Sequence, residues 1–574
     1  MGGGTRSVWV PAASGVELVE GERRTAMDGP DEAGWWTAPA ETDGDYAFSI
    51  EGRAPVPDPR SPWQPEGVHG PSRPVDHAAF PWTDGHWAGR ALDGAVIYEL
   101  HVGTYSPDGT FAGVARGLDH LVELGVSHVE LMPVAEFPGR RGWGYDGVDL
   151  YAPHHAYGGP EAFKALVDAC HARGLAVLLD VVYNHLGPSG NYLGQLGPYF
   201  TDRYATPWGQ AVNLDGEDSD EVRAFFIDNA LHWLRNYHVD GLRLDAVHAI
   251  LDTSAFHLLE ELAERVDELE AELGRPLALI AESDLNDPRV VQDRDAGGYG
   301  MDAQWSDDFH HALHAVLTGE TTGYYGDFGT LAQLGKALRH AFVYDGIHSR
   351  HRRRRHGRPP AGLPPGRFLA YAQTHDQVGN RARGERLSAL VNPARLRMAA
   401  ALTLCSPFVP MLFQGEEWGA ATPFLYLTDH EDSDLGRAVS EGRRREFAAF
   451  GWKPDEVPDP QDPETFHRSV LDWSEPARDP HAGLLDWHRR LIRLRQEHGL
   501  HEAGFESVDV HFDEGDRWLV LDRGRVVVAL SLADQPVDVP LGDGGSRGVR
   551  LSAGDVEVTA TTARLGPDSV VVLG

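Results

Sequence analysis

The stretch DGLRLDAVH, at Asp240–His248, is an apolar, strand-like run that ends on an acidic residue, Asp245. Two other stretches have the same form, with one acid placed where an apolar run ends. Carboxylates delivered from separate strand ends meet at one edge of a sheet when the strands are parallel. The two further stretches are LIAES at Leu279–Ser283, which carries Glu282, and THDQVGN at Thr374–Asn380, which carries Asp376.

Around these stretches, apolar runs alternate with helical patterns from about residue 95 onward. The runs are uniformly apolar, which is typical of a parallel sheet covered on both faces. Eight of them favour a closed (β/α)8 TIM barrel over an open doubly wound sheet. We place the strands at Ala95–Val102, His128–Val134, Leu175–Val182, Gly241–Leu244, Leu277–Ala281, Met301–Gln304, Phe368–Ala372 and Pro410–Phe413, with helices that include Phe111–Leu124, Pro160–Arg173, Glu221–Tyr237 and Thr253–Leu273.

The regions on either side of the barrel have β patterns, so the fold class is multidomain α/β plus β. Residues 1–90 alternate between short strands and turns and predict an N-terminal β-sandwich, with Pro57–Ser72 as an ordered, proline-rich linker. The barrel domain spans 91–502 and ends after a helix at Pro480–His498. Residues 503–574 predict a C-terminal antiparallel β-sandwich.

Composition limits the possible partners. The 574 residues carry a formal net charge of −36, which repels nucleic acid and anionic membranes but not a neutral sugar. No apolar run approaches the roughly 20 residues that span a bilayer. The N-terminal residues lack the pattern of a secretory signal. We therefore predict a cytoplasmic protein that binds neither nucleic acid nor membrane, with Cys170 and Cys405 as two separate buried thiols.

The three acids suit a reaction that passes through positive charge on carbon, as glycoside cleavage does. Arg243 lies two residues before Asp245, so both side chains leave the strand on one face and the arginine keeps the carboxylate ionised. Glu282 ends an apolar run, where desolvation raises the pKa of a carboxyl group. Taken singly, Asp245 could be a helix cap, Glu282 a buried structural acid and Asp376 a turn residue. Their shared position at strand ends favours catalysis.

Four motifs resemble the signature regions of the α-amylase superfamily: DVVYNH at Asp180–His185, GLRLDAVH, IAES and HDQ. The resemblance implies a retaining mechanism with Asp245 as nucleophile, Glu282 as acid/base and Asp376 as stabiliser of the transition state. It also implies that His185, Arg243, His248 and His375 surround the sugar ring at the cleavage point, and that Tyr145 stacks on it.

Within the superfamily, the chain is most similar to the maltooligosyltrehalose trehalohydrolases, through IAESDLND, DAQWSDDFHHALH and THDQVGNRARGER. That family hydrolyses the α-1,4 bond next to the terminal trehalose unit of its substrate, which implies a functional link to a trehalose-forming isomerising enzyme. Recognition of trehalose falls to the leaving-group side of the cleft. The candidates there are Trp305, Asp307, Asp308, His310, His311, Gln377, Asn380 and Arg381, although Asp307 or Asp308 could simply cap a helix.

Two other functions remain open. A glycogen branching enzyme would share the first half-reaction and pass the glycosyl group to a glucan hydroxyl. A non-catalytic glucan-binding protein would normally lack one of the three carboxylates, and all three are present. We predict no metal and no cofactor, with Asn184 fixing a loop. The basic run His348–Arg358 is interpreted as a solvated loop rather than as part of the cleft mouth.

Overall fold

The computed structural model describes residues 4–448, 453, 456–502, 504–542 and 546–574. Ala503, at the start of the predicted C-terminal domain, lies outside the described residues. At the centre, eight parallel strands close into a barrel in chain order, which confirms the predicted fold class. Barrel strands one to eight are Ile97–Leu100, His128–Leu131, Ala176–Val181, Gly241–Leu244, Ala278–Ala281, Ala303–Trp305, Phe368–Tyr371 and Val409–Phe413.

The helices largely follow the predicted periodicity, with two differences. The helix predicted over Phe111–Leu124 is broken at Gly117, where the phenol of Tyr105 leaves no room for a Cβ atom. The helix predicted from Thr253 begins only at Leu258, because His257 caps it. The α-helices are Val102–Tyr105, Phe111–Arg116, Leu118–Leu124, Gly159–His171, Leu193–Leu196, Ser219–Asn236, Leu258–Leu273, Asp307–Thr318, Leu331–His340, His375–Gly379, Leu387–Leu390, Pro393–Leu404, Ser433–Ala448, Pro463–Ser469 and His481–Glu497.

Antiparallel sheets precede and follow the barrel. The first sheets pair Thr5–Trp9 with Trp35–Pro39, and Val16–Glu20 with both Arg23–Ala26 and Ala47–Ile50. The last two sheets pack through an apolar layer that contains Val520, Val571 and Leu565. Their strands are Asp509–Asp513, Trp518–Asp522, Val527–Ser531, Ser569–Leu573 and Val549–Ala553 in one sheet, and Val537–Pro540, Thr562–Leu565 and Val556–Val558 in the other.

Two two-stranded hairpins and a short strand pair complete the described β-structure. One hairpin joins Phe200–Thr206 to Gly209–Val212, and another joins Asp345–Ser349 to Arg354–Gly357. The strand pair is Ala135–Glu136 with Asp149–Pro153. Cys170 and Cys405 are both buried and free, as predicted. Across the described ranges, no helix is long and apolar enough to cross a membrane.

A buried carboxylate, Asp240, lies just before barrel strand four, at the end of the barrel opposite the three acids. It accepts hydrogen bonds from Trp87, His171 and Arg275 at 2.7–2.9 Å. Burial opposes the charge on Asp240, but these partners hold the pKa of its carboxyl below the ordinary value. Asp240 therefore joins Trp87, in the segment before the barrel, to His171 and Arg275 of the barrel domain through one charged group.

We expect Asp240→Asn to lower the free energy of unfolding by about 3 kcal/mol, because it leaves Arg275 buried beside a neutral amide. The carboxyl pKa is lowered by folding, so its contribution to stability is present above the unfolded pKa and is lost as pH falls through the folded one. Urea unfolding at pH 7 measures the effect. Asp168→Asn is the matched control, since Asp168 binds only the exposed Thr83 and should change stability by less than about 1 kcal/mol. Equal losses in both variants would contradict the prediction.

Candidate active site

The three predicted acids lie together at the carboxyl ends of the barrel strands. Asp245 directly follows strand four and Glu282 directly follows strand five. Asp376 is the second residue of the short helix His375–Gly379, after strand seven. The side chains of Asp245 and Glu282 are 13% and 14% exposed, and that of Asp376 is 42% exposed. Two carboxyl groups are thus largely screened from water while the third faces the opening.

Arg243 joins two of these acids. Its fully buried guanidinium donates through Nη1 to Asp245 Oδ1 at 2.8 Å, and its Nη2 lies 3.7 Å from Glu282 Oε2. The same Nη1 donates to both carboxylate oxygens of Asp180 at 2.9 Å. The indole of Trp305 lies against the guanidinium, 4.3 Å from its carbon to the ring centre. Arg243 and Asp245, two residues apart on the chain, therefore direct their side chains to the same side of the strand, as predicted.

The environment separates the pKa values of the two acids. Although burial opposes charge on Asp245, Arg243 and the amide of Asn184 hold the pKa of its carboxyl below the ordinary value. Burial raises the pKa of Glu282 well above its ordinary value, and the nearby negative charge of Asp245 adds to this rise. The surroundings therefore favour the ionised form of Asp245 and the protonated form of Glu282. A nucleophile and a general acid need those two states.

Asn184 has a direct part in this geometry. Its Nδ2 donates to Asp245 Oδ2 at 2.8 Å and to the Asp245 carbonyl at 2.9 Å. Its Oδ1 pairs with Nδ1 of His185, and the imidazole of His185 stacks on Trp208 with ring centres 4.7 Å apart. Trp208 is 48% exposed at the tip of the hairpin after strand three. Sequence analysis missed Trp208, because a tryptophan in a turn carries no motif.

A second chain of contacts orients His375. Its backbone N–H donates to Glu99 Oε2 at 3.0 Å, and its Nδ1 pairs with Glu99 Oε1. Burial disfavours the imidazolium, but the Glu99 carboxylate raises the pKa of His375 to about 9. The phenol of Tyr145 bridges His375 Nε2 at 2.8 Å and Asp180 Oδ2 at 2.6 Å. Glu99 was also missed by sequence analysis, since it lies inside an apolar strand without a neighbouring motif.

Beside Asp376, a cavity of about 340 Å³ opens to solvent. It contains four of the predicted trehalose-side residues together with others from the basic hairpin. Arg352 of that hairpin pairs with Asp284, two residues beyond Glu282, through both carboxylate oxygens. The basic run was therefore wrongly interpreted as only a solvated loop, because Asp284 draws its tip into the cleft. The lining residues are Asp284, Asp307, His311, Tyr324, His351, Arg352, Asp376, Gln377 and Asn380.

Several predicted binding residues are not free to contact a substrate, which corrects our expectation for them. Asp308 accepts hydrogen bonds from the backbone of Val343 and Tyr344 at 2.7 Å and is buried. His310 is fully buried, with one ring nitrogen on the Ala372 carbonyl and the other on the Tyr325 hydroxyl. These contacts fix the helix that begins at Asp307.

Trp305, Arg381 and His248 also differ from the expectation. Trp305 is 2% exposed and lies against Arg243, so it is no platform for a sugar ring. Arg381 makes a paired contact with Glu320 at 2.9 Å, which occupies its guanidinium. His248 accepts the backbone N–H of Asp284 at 3.3 Å and thus positions the cavity wall.

Potential metal ligands come together within the described part of the chain at Glu136, His154 and His155, whose ligand atoms lie within 4.8 Å of one another. His155 binds Glu136 through its Nδ1 and its backbone N–H, both at 2.7 Å. His154 Nδ1 lies 3.2 Å from Glu136 Oε1, so both histidines face the same carboxylate. The side-chain amide of Asn184 is hydrogen-bonded to Asp245 and His185.

The closed barrel, with the three acids at its strand ends and Arg243 between Asp245 and Glu282, fits a glycoside hydrolase of the α-amylase type. Residues 78–198 match the family model for the alpha amylase catalytic domain, and 503–572 match a domain of unknown function, DUF3459. A putative alpha amylase from Salmonella typhimurium superposes with a TM-score of 0.91 at 39% identity, covering 99% of this chain and 97% of that one. A pullulanase from Anoxybacillus superposes at 0.72 with 19% identity over 99% and 85% of the two chains, which shows the fold alone.

Relatives that match this chain over nearly its full length identify the family within this class of enzymes. The chain is 55% identical to the malto-oligosyltrehalose trehalohydrolase of Arthrobacter ramosus, over 98% of both proteins. It is 46% identical to the one of Saccharolobus solfataricus, over 93% of this chain and 92% of the relative. A 1,4-alpha-glucan branching enzyme of Mycobacterium bovis is 33% identical over 53% and 47% of the two chains. The chain belongs to the malto-oligosyltrehalose trehalohydrolase family.

Proposed function

We propose that this protein hydrolyses the α-1,4-glucosidic bond next to the terminal trehalose unit of maltooligosyltrehalose, with retention at the anomeric carbon. The products are trehalose and a maltooligosaccharide. The observation that carries the proposal is the pair of carboxyl groups on Arg243, with the pKa of Asp245 lowered and that of Glu282 raised. This difference provides the two protonation states that a retaining glycosidase needs at its start.

In the first half-reaction, an Asp245 oxygen attacks the anomeric carbon of the maltooligosyl group. The bond from that carbon to the trehalose oxygen breaks, and Glu282 gives its proton to the leaving oxygen. Arg243 and Asn184 hold the attacking carboxylate by hydrogen bonds of 2.8 Å, which fixes its direction before the substrate arrives. The products of this step are free trehalose and a glycosyl ester on Asp245.

In the second half-reaction, the Glu282 carboxylate takes a proton from water, and the water oxygen attacks the same carbon. The ester to Asp245 breaks and the maltooligosaccharide leaves with its original configuration. Ala246 N–H donates to Glu282 Oε2 at 2.6 Å and keeps that carboxyl directed into the site through both steps. Asp376 is held by Asn380 at 3.2 Å and contributes negative charge where the sugar ring becomes positive.

Trehalose recognition falls, in this proposal, to the cavity beside Asp376. Asp307 accepts a hydrogen bond from Tyr371 at 2.5 Å, and burial raises the pKa of its carboxyl to about 7. His311, Gln377 and Asn380 supply further polar groups on the same wall. These groups can bind the hydroxyls of a disaccharide, and the Arg352–Asp284 pair holds the hairpin beside them.

The test is product analysis by anion-exchange chromatography, comparing maltotriosyltrehalose with maltopentaose. We expect trehalose and maltotriose from the first substrate and much slower cleavage of the second. Longer or branched glucans without trehalose would assign the chain to the branching reaction instead. Binding of both sugars with no product at all would identify a glucan-binding protein.

The hairpin arginine provides a prediction about specificity. Arg352→Ala should lower kcat/KM for maltotriosyltrehalose about tenfold and leave the slower cleavage of maltopentaose nearly unchanged, because the ion pair with Asp284 that holds the hairpin at the wall of the trehalose-side cavity is lost. The substrate ratio is measured by competition between the two sugars. Arg354→Ala is the matched control, since Arg354 lies on the same hairpin but is exposed and does not line the cavity. An unchanged ratio in Arg352→Ala would contradict the prediction.

A further inference from the structure

Glu130, on barrel strand two, is a buried acid that the mechanism above does not use. It is 1% exposed, and its register partners are Glu99 on strand one and Leu178 on strand three. Leu178 belongs to the apolar cluster that includes Ile97, Ile280 and other barrel-strand residues. Glu130 is therefore adjacent in the sheet both to a member of that cluster and to Glu99, which binds His375.

Both carboxyl oxygens of Glu130 lack a hydrogen-bond partner among the described residues. A buried carboxylate in that situation would lose its hydration without any compensating contact, whereas the neutral acid loses far less. The groups that act on it are Glu99 and Asp180, which oppose its ionisation, and Arg243 and His375, which favour it. Burial is the largest effect and raises the pKa of Glu130 well above the ordinary value.

The two cations near Glu130 are already matched by other acids. His375 pairs with Glu99, and Arg243 pairs with Asp245 and Asp180. The Nε and Nη2 atoms of Arg243 have no hydrogen-bond partner within the described structure, and Nη2 lies 3.7 Å from Glu282 Oε2. An ionised Glu130 would compete for Arg243 with Asp245, the proposed nucleophile.

We propose that Glu130 is a positioning residue for the reaction. As a neutral carboxylic acid, it allows Arg243 to remain hydrogen-bonded to Asp245 and close to Glu282. When Glu130 ionises at alkaline pH, it draws Arg243 away and lowers turnover. This inference rests on the proposed function. It adds a second ionisation to the alkaline decline of kcat, beside that of the general acid Glu282.

The test compares the pH dependence of kcat for wild type and Glu130→Gln with maltotriosyltrehalose. Glutamine is nearly isosteric and cannot ionise. We expect kcat at neutral pH within about threefold of wild type, an unchanged KM, and a less steep alkaline decline. One pH unit beyond the wild-type midpoint, the variant should keep a roughly three- to tenfold larger fraction of its maximal kcat. Superimposable alkaline limbs would overturn the proposal.

Stability gives a readout that does not depend on activity. Burial raises the pKa of folded Glu130 above the unfolded value of about 4.3, so between these two pKa values unfolding releases a proton from Glu130, and its contribution makes stability fall as pH rises. Glu130→Gln removes that proton, and the stability of the variant should fall less steeply with pH, by up to one proton, in the range above about pH 5. An unchanged slope would also overturn the proposal.

Glu130→Met provides a second neutral side chain of similar length. If neither variant folds, a neutral group does not replace Glu130 and the proposal is wrong. Failure of the proposed function has a different result, because wild-type protein would then release no trehalose at any pH. A structural role alone would lower the amount of folded protein without moving the alkaline limb.

Discussion

Replacing Asp245 with asparagine is expected to lower kcat for maltotriosyltrehalose by about four orders of magnitude or more. The amide cannot form the glycosyl ester, so the first half-reaction loses its nucleophile. Asparagine has nearly the same shape as aspartate, and Arg243 keeps its contacts with Asp180. Substrate affinity should therefore remain within a few-fold of wild type, measured by calorimetry with the uncleaved sugar.

The control for Asp245→Asn is Asp220→Asn, the same change at an exposed residue in the first turn of the helix after strand three. It should have wild-type kcat and KM. Near-full activity in Asp245→Asn would show that another group is the nucleophile. Loss of both binding and activity, together with a lower thermal midpoint, would instead indicate that Asp245 stabilises the barrel end.

The second large effect is expected for Glu282→Gln. The leaving trehalose oxygen then receives no proton, and kcat should fall by about two to four orders of magnitude. A substrate whose leaving group needs no proton, such as α-maltosyl fluoride, should form the glycosyl ester at close to the wild-type rate. A burst of fluoride measures this first step. Equal losses on both substrates would remove Glu282 from the role of general acid.

The pH profile distinguishes the same two residues. The pKa of Asp245 is lowered by Arg243 and Asn184 despite burial, so the acidic decline of wild-type activity should occur below the ordinary carboxyl range. The pKa of Glu282 is raised by burial, so the active protonated form should persist, and activity should decline, above the ordinary pH range of a glutamate. In Glu282→Gln, the part of the alkaline decline that belongs to Glu282 should disappear.

The strand-end motifs were sufficient to predict the barrel and to place its acids at one end. Strand positions could be predicted because uniformly apolar runs separated by helical patterns have few other solutions. The break at Gly117 was not predicted, and the reason why residue 117 has no side chain, the phenol of Tyr105 packed against it, becomes apparent only in the folded chain. Local propensity contains no information about such a contact.

The predicted substrate-binding residues also divide into those that line the cavity and those that the folded chain buries. His311, Gln377 and Asn380 line the cavity beside Asp376, whereas Asp308 and His310, on the same helix as His311, face the interior. A helix presents successive residues to different sides, and which side meets the cleft depends on how the helix packs. Glu99 and Trp208 were missed for a related reason, because each becomes significant only through a partner distant in the sequence.

By itself the sequence determined the kind of fold, the three strand-end acids and the family resemblance, because these depend on periodicity and on short motifs that one stretch of chain contains. Only the tertiary structure decided the electrostatics: Arg243 is shared between carboxyl groups from different strands, and burial separates their pKa values. It also decided that Arg352 reaches the cleft and that Glu130 lies without a partner in the barrel. Desolvation and charge interactions depend on distances in space between residues far apart in sequence, and the folded barrel fixes those distances.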